Sequence, residues 1–261
     1  MMKVSILIPV YNEFHTLPRV LARVREAPLP PGCEREIIVV DDGSTDGTAA
    51  LLRSAAGAGA AVIARAAPRN RGKGAALRAG LELATGGVIL IQDGDLEYDP
   101  ADYAALLAPL LAGEAEVVYG TRFAAGPPPA MAWSHRLANR LLTATANILY
   151  SARLSDEATA YKAFRAPVLR QLDLRADRFG FCPEVTAKLR RLGYAICEVP
   201  IRYQPRAVAE GKKIRARDGF AALGILLVWR CMPRRACLRR PAPLAGPLLT
   251  AGPTARRSVR A

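Results

Sequence analysis

The stretch that constrains this chain most runs directly from four apolar residues into three carboxylates. Val88 to Ile91 form an uninterrupted apolar run, which predicts a strand buried on both faces. Asp93, Asp95 and Glu97 follow it, at the end of the strand where open α/β sheets bind their ligands. The glycine between the aspartates allows a sharp turn, so both can reach one hard cation. An acidic turn without a metal explains this stretch equally well.

Apolar runs alternate with helical patterns through the first part of the chain. The predicted elements, strand and helix in turn, are 4–9, 14–24, 36–40, 46–56, 61–65, 73–84, 88–92 and 101–111. This alternation predicts an α/β fold, with a mostly parallel central sheet covered by helices on both faces. At 261 residues, the chain is long enough for one large domain of this kind.

Carboxylates recur just after the predicted strands, at Glu13, Asp41, Asp42, Asp93 and Asp95. Because parallel strands end at one edge of a sheet, we expect these side chains to line one crevice. They would repel one another unless they met a cation or a ligand rich in hydrogen-bond donors. A nucleoside diphosphate with its metal ion offers both.

A basic loop opens the third predicted helix. Residues 68–74 contain Arg71 and Lys73 between glycines, which permit close approach of the backbone to a ligand. The helix amino terminus and the two cations favour a phosphate group, although a solvated turn remains the alternative. The spacing is not that of a Walker loop.

The cysteine content, the amino-terminal sequence and the distribution of charge exclude several other classes of protein. Five scattered cysteines without a Cys-x-x-Cys pair predict reduced thiols and no zinc site. The chain enters a strand pattern almost at once, so we expect no signal peptide. Eight arginines and no acid lie in residues 230–261, which leaves about +6 of the net charge of +14 for the rest. The Pro, Ala and Arg content of this tail predicts disorder from about residue 241 and attraction to anionic partners.

Seven segments of the chain carry a family resemblance. They are DDGSTDGT at 41–48, NRGKG at 70–74, DGDLEYDP at 93–100, YGTRF at 119–123, YKAFR at 161–165, RFGF at 178–181 and EVPI at 198–201. They resemble family 2 glycosyltransferases of the GT-A fold, in the branch of dolichol-phosphate mannosyltransferases and polyprenyl-phosphate glycosyltransferases. The resemblance covers about residues 3 to 225 and implies the three-layer nucleotide-diphospho-sugar transferase fold.

The resemblance also implies roles for individual residues. Mg²⁺ or Mn²⁺ would bind Asp93, Asp95 and Glu97, and would stabilise the leaving nucleotide. Residues that would bind the donor are Pro9, Tyr11, Glu13, Asp41 and Asp42 around the nucleoside, Arg71 and Lys73 near the base or diphosphate, and Arg206 and Lys213 in a basic loop over the diphosphate and sugar. The segment with Asp156, Glu157, Thr159 and Tyr161 would lie near the donor sugar, but Ala158 and Ala160 depart from the family pattern there, which leaves the sugar open.

The acceptor in this branch is a lipid phosphate, which needs no dedicated base. A phosphate monoester has a second pKa of about 6 and is therefore already dianionic at neutral pH. Arg122 and Arg136 match the acceptor-phosphate region, and His135 is interpreted as a solvated loop residue rather than a base.

Two apolar segments predict contact with a membrane surface. Residues 136–150 place Leu137, Leu141, Ala144 and Ile148 on one side of a helix, which suits either packing on the domain or an interfacial helix. Residues 219–229 are apolar but too short to cross a bilayer, for which a helix needs about 20 residues. We therefore expect a domain over 1–229, with interfacial helices near 136–150 and 214–229, peripheral on the cytoplasmic face of the membrane, and a separate tail over 230–261.

The sequence thus predicts an inverting, metal-dependent glycosyltransferase that moves a hexose from a nucleoside-diphosphate sugar to polyprenyl phosphate, either dolichyl or undecaprenyl. One alternative keeps the donor but uses a polysaccharide or a small hydroxyl acceptor, which requires a general base. A protein that binds nucleic acid through its basic tail is the other alternative. The tail lacks the interleaved aromatic residues that such binding uses, so we expect no nucleic-acid partner.

Overall fold

A computed structural model of the chain describes residues 1–57, 62–124, 126–128, 131–205 and 216–239. Within them the strands are β1 (Met2–Val10), β2 (Cys33–Asp41), β3 (Val62–Ala66), β4 (Val88–Ile91), β5 (Val117–Thr121), β6 (Lys162–Arg165) and β7 (Cys197–Pro200). The α-helices are α1 (Leu17–Glu26), α2 (Thr48–Gly57), α3 (Lys73–Leu83), α4 (Tyr103–Leu111), α5 (Trp133–Tyr150), α6 (Ala166–Arg170), α7 (Phe181–Leu192) and α8 (Ala216–Cys231).

These strands form one sheet in the order β3-β2-β1-β4-β6-β5-β7. β1 pairs in parallel with β2 and β4, and β2 pairs in parallel with β3. β6 runs antiparallel to β4 and β5, whereas β5 and β7 are parallel to each other. The predicted α/β fold with a mostly parallel sheet is therefore confirmed.

Helices cover both faces of the sheet. Successive strand residues point to opposite faces, so neighbouring residues of one strand pack against different helices. Ile6 and Ile8 of β1 belong to an apolar cluster with α1 and α4. Leu7, between them, belongs to a second cluster with α3 and α7. Burial on both faces explains why the central strands read as uninterrupted apolar runs.

The sequence pattern did not predict β6. This strand has four residues, two of them charged, and its Lys162 is fully buried. The Lys162 ammonium donates to the Glu157 carbonyl at 2.9 Å and lies 3.4 Å from the centre of the Tyr119 ring. A buried lysine interrupts the apolar run that identifies a strand, so the pattern of apolar residues does not reveal β6.

The apolar stripe predicted on residues 136–150 faces outward. Leu137, Leu141 and Ile148 are 47%, 54% and 81% exposed. The helix packs on the domain through a different face, formed by Asn139, Leu142, Thr143, Ala146 and Tyr150. Packing against the domain therefore does not explain the stripe.

No helix in the described ranges combines the length and the hydropathy that a bilayer span requires.

The chain stays attached to the domain beyond the boundary predicted at residue 229. The Asp173 N–H donates to the Cys237 carbonyl at 2.9 Å, and the Arg239 N–H donates to the Gln171 carbonyl at 2.7 Å. Cys237 is fully buried in the cluster that joins α5, α7 and α8. The domain thus extends at least to Arg239, and residues 240–261 of the predicted tail lie outside the described residues.

We expect Gly72→Ala to lower the free energy of unfolding by about 3 kcal/mol or more. Gly72 has φ +97°, and a Cβ there would overlap the backbone of Arg178. Gly113→Ala is the matched control, because Gly113 has φ +75° with nothing within 4 Å of the added Cβ. Backbone strain alone should lower the free energy of unfolding of Gly113→Ala by about 1 kcal/mol. If urea denaturation gives the same loss for Gly72→Ala and Gly113→Ala, the contact between Gly72 and Arg178 is not tight.

Candidate active site

Buried hydrogen bonds fix the turn that follows β4. Gln92 is fully buried, and its Oε1 accepts hydrogen bonds from the hydroxyls of Tyr103 and Tyr161 at 2.7 and 2.6 Å. A Cβ at Gly94 would lie 2.6 Å from Cγ1 of Val10, so a glycine is needed for the turn to pack on the end of β1. These contacts hold residues 93–95 at the carboxyl edge of the sheet.

Each of the three carboxylates predicted to bind metal has a different partner. Asp93 accepts a hydrogen bond from the ammonium of Lys73 through its Oδ1. Asp95 accepts the Glu97 N–H at 3.1 Å, and Glu97 accepts the Tyr203 hydroxyl at 2.8 Å. Within the described residues, no group of three or more His, Cys, Asp or Glu side chains is arranged to hold a metal ion by itself.

This arrangement fits a divalent ion whose coordination is completed by a ligand. Asp93 and Asp95 offer hard oxygen donors on one tight turn, which suits Mg²⁺ or Mn²⁺. Mg²⁺ usually binds one or two carboxylates together with substrate phosphates rather than an all-protein cage. The residues present would therefore fit a metal ion that is also bound by a diphosphate. Glu97 is already hydrogen-bonded to Tyr203.

Lys73 brings positive charge to this turn from the neighbouring helix. It is the first residue of α3, and its side chain is 15% exposed. Burial alone would lower the pKa of Lys73, but the negative charge of Asp93, with a smaller effect of Asp95, raises that pKa overall. Lys73 is therefore a stable cation beside the two predicted metal ligands.

Asp42 joins two of the motifs into one wall of the site. Its carboxylate accepts the N–H of Arg71 at 2.9 Å and also the N–H of Gly72. Burial raises the pKa of Asp42 above its ordinary value, and the two N–H donors oppose that rise. The Arg71 guanidinium lies 3.4 Å from Asp177, so the basic loop is anchored on both sides.

The remaining residues predicted to contact the nucleoside lie at the ends of β1 and β2. The Asn12 N–H donates to the Ser44 hydroxyl at 2.8 Å, and the Glu13 N–H donates to the Thr48 hydroxyl at 3.0 Å. These bonds hold the loop after β1 against the loop after β2. Pro9 thus lies beside Val40 in the β1–β2 ladder, and the Asp42 N–H donates to the Val10 carbonyl at 2.8 Å, so the ends of β1 and β2 lie side by side. The contact of Pro9, Tyr11, Glu13, Asp41 and Asp42 with a nucleoside stays a prediction.

Arg122 forms a buried pair with Asp156. The Nε and Nη2 of the Arg122 side chain donate to the two carboxylate oxygens of Asp156 at 2.6 and 2.7 Å, and the Arg122 backbone N–H donates to the same carboxylate at 3.1 Å. The guanidinium lies 4.9 Å from the centre of the Tyr203 ring. Burial opposes the charge of Arg122, but Tyr98 and Asp156 raise its pKa well above the ordinary value.

Arg136 and His135 lie in the first turn of α5, not in a loop as predicted for His135. The Arg136 side chain donates to the carbonyls of Met131 and Pro128, each at 2.8 Å, and so holds the segment that precedes the helix. Arg206 and Lys213, predicted to lie over the diphosphate, fall outside the described residues.

Two residues that the sequence did not assign to the site are Tyr203 and Glu198. Tyr203 touches both Glu97 and Arg122, and so links the acidic turn to the arginine. The Glu198 carboxylate accepts the N–H groups of Ser155 and Asp156 at 2.7 and 3.0 Å, which fixes the backbone of Asp156. The EVPI segment was a signal for Glu198, whereas nothing in the sequence pairs Tyr203 with Glu97.

Comparisons with known proteins agree with this architecture. A family model described as "Glycosyl transferase family 2" matches residues 5–173. Glucosyl-3-phosphoglycerate synthase from Mycobacterium tuberculosis, crystallised with Mn²⁺, uridine-diphosphate-glucose and phosphoglyceric acid, superposes with a TM-score of 0.67 at 23% identity. That match covers 89% of this chain and 81% of the synthase, and it confirms the predicted GT-A fold.

Curated relatives share about a third of their aligned residues with this chain. Glycosyltransferase AglJ from Haloferax volcanii is 32% identical over 78% of this chain and 63% of its own length. Undecaprenyl-phosphate 4-deoxy-4-formamido-L-arabinose transferase from Pseudomonas aeruginosa is 32% identical over 80% and 60%. Undecaprenyl-phosphate mannosyltransferase from Micrococcus luteus is 32% identical over 86% and 93%. The chain therefore spans less than two thirds of the first two relatives and nearly all of the third.

Proposed function

This chain belongs to glycosyltransferase family 2, and from that premise we propose that it moves a hexose from a nucleoside-diphosphate sugar to polyprenyl phosphate with inversion. The observation that carries the proposal is the meeting of three motifs at one sheet edge. Asp42 binds the basic loop, and Lys73 of that loop binds Asp93 of the acidic turn. Two of the relatives described above are named for transfer to undecaprenyl phosphate, which supports the acceptor.

The donor half of the site would hold the diphosphate between opposite charges. Mg²⁺ or Mn²⁺ at Asp93 and Asp95 would supply charge stabilisation for the leaving diphosphate. The amino terminus of α3 and Lys73 would bind the phosphate oxygens from the other side. Asp41, Asp42 and Glu13 would accept hydrogen bonds from the nucleoside and fix its orientation.

The acceptor half would bind a phosphate through Arg122. The pair with Asp156 uses the Nε–Nη2 edge of the guanidinium, and the Tyr203 side chain is a further hydrogen-bond partner of Arg122. A phosphate would therefore bind beside Tyr203 and share the guanidinium with it. Asp156 itself is fully buried and neutralised by that pair, which makes it a poor general base. A phosphate acceptor needs no base, because it is already dianionic near neutral pH. Arg136, close by in sequence at the start of α5, would assist at the acceptor end.

A direct assay tests this function. The protein is incubated with a panel of nucleotide sugars, Mg²⁺ or Mn²⁺ and undecaprenyl or dolichyl phosphate, and glycolipid is sought by mass spectrometry. We expect a product with the lipid phosphate and none with simple hydroxyl acceptors. Transfer to phosphoglyceric acid or to an oligosaccharide, with no glycolipid, would reject the acceptor while keeping the family chemistry.

We also propose that the exposed stripe of α5 lies on a membrane surface. Trp133, at the start of α5, is 75% exposed, and Leu137, Leu141 and Ile148 of the stripe are exposed too. On α8, which packs against α5, Phe220, Leu227 and Val228 are exposed as well. Exposed apolar side chains of this number mark a surface that binds lipid or another apolar partner. The net charge of +14 favours anionic lipid among these.

We expect the triple variant Leu137→Asp, Leu141→Asp, Ile148→Asp to bind anionic vesicles at least about tenfold more weakly than wild type. Each substitution replaces an apolar contact with the lipid by a charge. Flotation with phosphatidylglycerol vesicles measures the effect. Ile63→Asp, on the exposed edge strand β3, is the control and should bind as wild type does. Equal flotation of all three proteins would remove α5 from the membrane contact.

A further inference from the structure

The pair between Lys73 and Asp93 occupies a carboxylate that the proposed function needs for a metal ion. The two side chains are only 15% and 21% exposed. An ion pair withdrawn from water to this degree is screened little, so it is not a loose surface contact. A cation that approaches Asp93 must therefore compete with Lys73.

The backbone on both sides of Lys73 is closely packed. The Gly72 N–H is bonded to Asp42, and a Cβ at Gly72 would overlap Arg178. A Cβ at Gly74 would overlap the carbonyl of Ala176. Because both neighbours pack against the segment 176–178, an exchange of partners at Asp93 requires only the Lys73 side chain to move.

A diphosphate would supply what this exchange requires. It carries oxygen ligands for a metal, and it offers the Lys73 ammonium a new anionic partner at the amino terminus of α3. A metal ion alone supplies neither, and the described carboxylates do not form a three-ligand cluster that could hold it unaided. The metal and the diphosphate therefore favour the same position of the Lys73 side chain.

We infer that Lys73 is the internal counter-ion of Asp93, and that it leaves Asp93 for the diphosphate when metal and nucleotide bind together. This inference rests on the proposed function. It makes metal uptake conditional on the nucleotide, because the metal alone must break the pair whereas the metal with nucleotide gives both partners new contacts. By reciprocity, the metal raises the affinity for the diphosphate by the same factor.

The test is the affinity for Mn²⁺, measured by titration calorimetry on the full chain with and without uridine or guanosine diphosphate. In wild type we expect diphosphate to tighten Mn²⁺ binding by about tenfold or more. Lys73→Met should bind Mn²⁺ alone about tenfold tighter than wild type, because Asp93 no longer has a competing cation. In the same variant, diphosphate should increase the affinity for Mn²⁺ by a smaller factor than in wild type, because the phosphate no longer has the Lys73 ammonium as a partner.

Lys73→Met is thus expected to raise the affinity for Mn²⁺ alone and to lower the gain that diphosphate adds. A loss of structure would lower both. Lys73→Arg keeps the charge and should retain the wild-type order of affinities. If Lys73→Met does not fold, as judged by its thermal unfolding, Lys73→Gln carries the same comparison. Weaker or unchanged Mn²⁺ binding in the neutral variants would overturn the counter-ion role.

Asp93→Asn separates this inference from the function on which it rests. If Asp93→Asn leaves Mn²⁺ affinity unchanged in the presence of diphosphate, the metal assignment itself fails, whatever Lys73 does. If Asp93→Asn weakens Mn²⁺ binding but Lys73→Met does not strengthen it, the metal site stands and only the exchange is rejected.

Discussion

Replacement of Asp95 by asparagine should reduce glycosyl transfer by about a thousandfold, because loss of a metal ligand removes several kcal/mol of transition-state stabilisation. The fold should survive. Asp95 is half-buried, and its hydrogen bond from the Glu97 N–H can also be accepted by an asparagine carbonyl oxygen. The loss should therefore appear in turnover while the midpoint of thermal unfolding stays close to that of wild type.

Asp99→Asn is the matched control for this prediction. Asp99 belongs to the same acidic stretch, but it caps the short helix at Pro100–Asp102 and pairs with Arg23 at 2.8 Å. Its substitution should lower stability slightly and leave turnover nearly unchanged. Full activity of Asp95→Asn, or an equal loss of activity in Asp99→Asn, would contradict the assignment of Asp95 to the metal.

The second large effect concerns stability. Asp156→Asn should lower the free energy of unfolding by about 3–5 kcal/mol, because it leaves the Arg122 charge buried without its partner. Asp156 is fully buried and the Arg122 side chain is 9% exposed, so solvent cannot compensate for the lost carboxylate. Urea denaturation of wild type and variant measures the difference.

Two further variants make this prediction specific. Asp173→Asn removes the partner of Arg175 in an exposed pair, and it should cost less than about 1 kcal/mol. The double variant Arg122→Met, Asp156→Leu removes both buried charges and should recover part of the stability lost in Asp156→Asn. A cost for Asp156→Asn no larger than that for Asp173→Asn would show that the pair is hydrated.

The sequence predicted those parts of the fold that depend on local pattern. Buried apolar runs identified β1, β2 and β4, and their ends placed Asp41 and Asp93 at one edge of the sheet. β6 was not predicted, because a lysine in a sequence indicates a surface position. Only the structure shows that Lys162 is buried against the Tyr119 ring and the Glu157 carbonyl. Which face of a helix is buried is also a tertiary property, so periodicity found the stripe of α5 but not its outward orientation.

The candidate site shows the same division. The order of the motifs identified the acidic turn and the basic loop, but it could not show that Lys73 sits on Asp93 or that Asp156 holds Arg122. These pairs join residues 20 and 34 positions apart, and side-chain pairing over such separations is decided by packing. Sequence thus identified the groups, while the structure supplied their partners.

The position of the metal can be measured in crystals of the protein soaked with Mn²⁺ and a nucleoside diphosphate, through the anomalous signal of manganese. We expect one strong peak between the carboxylates of Asp93 and Asp95 and the diphosphate oxygens, with the Lys73 ammonium moved from Asp93 to a phosphate. A diphosphate bound at this edge without manganese, or manganese bound away from both aspartates, would contradict this expectation.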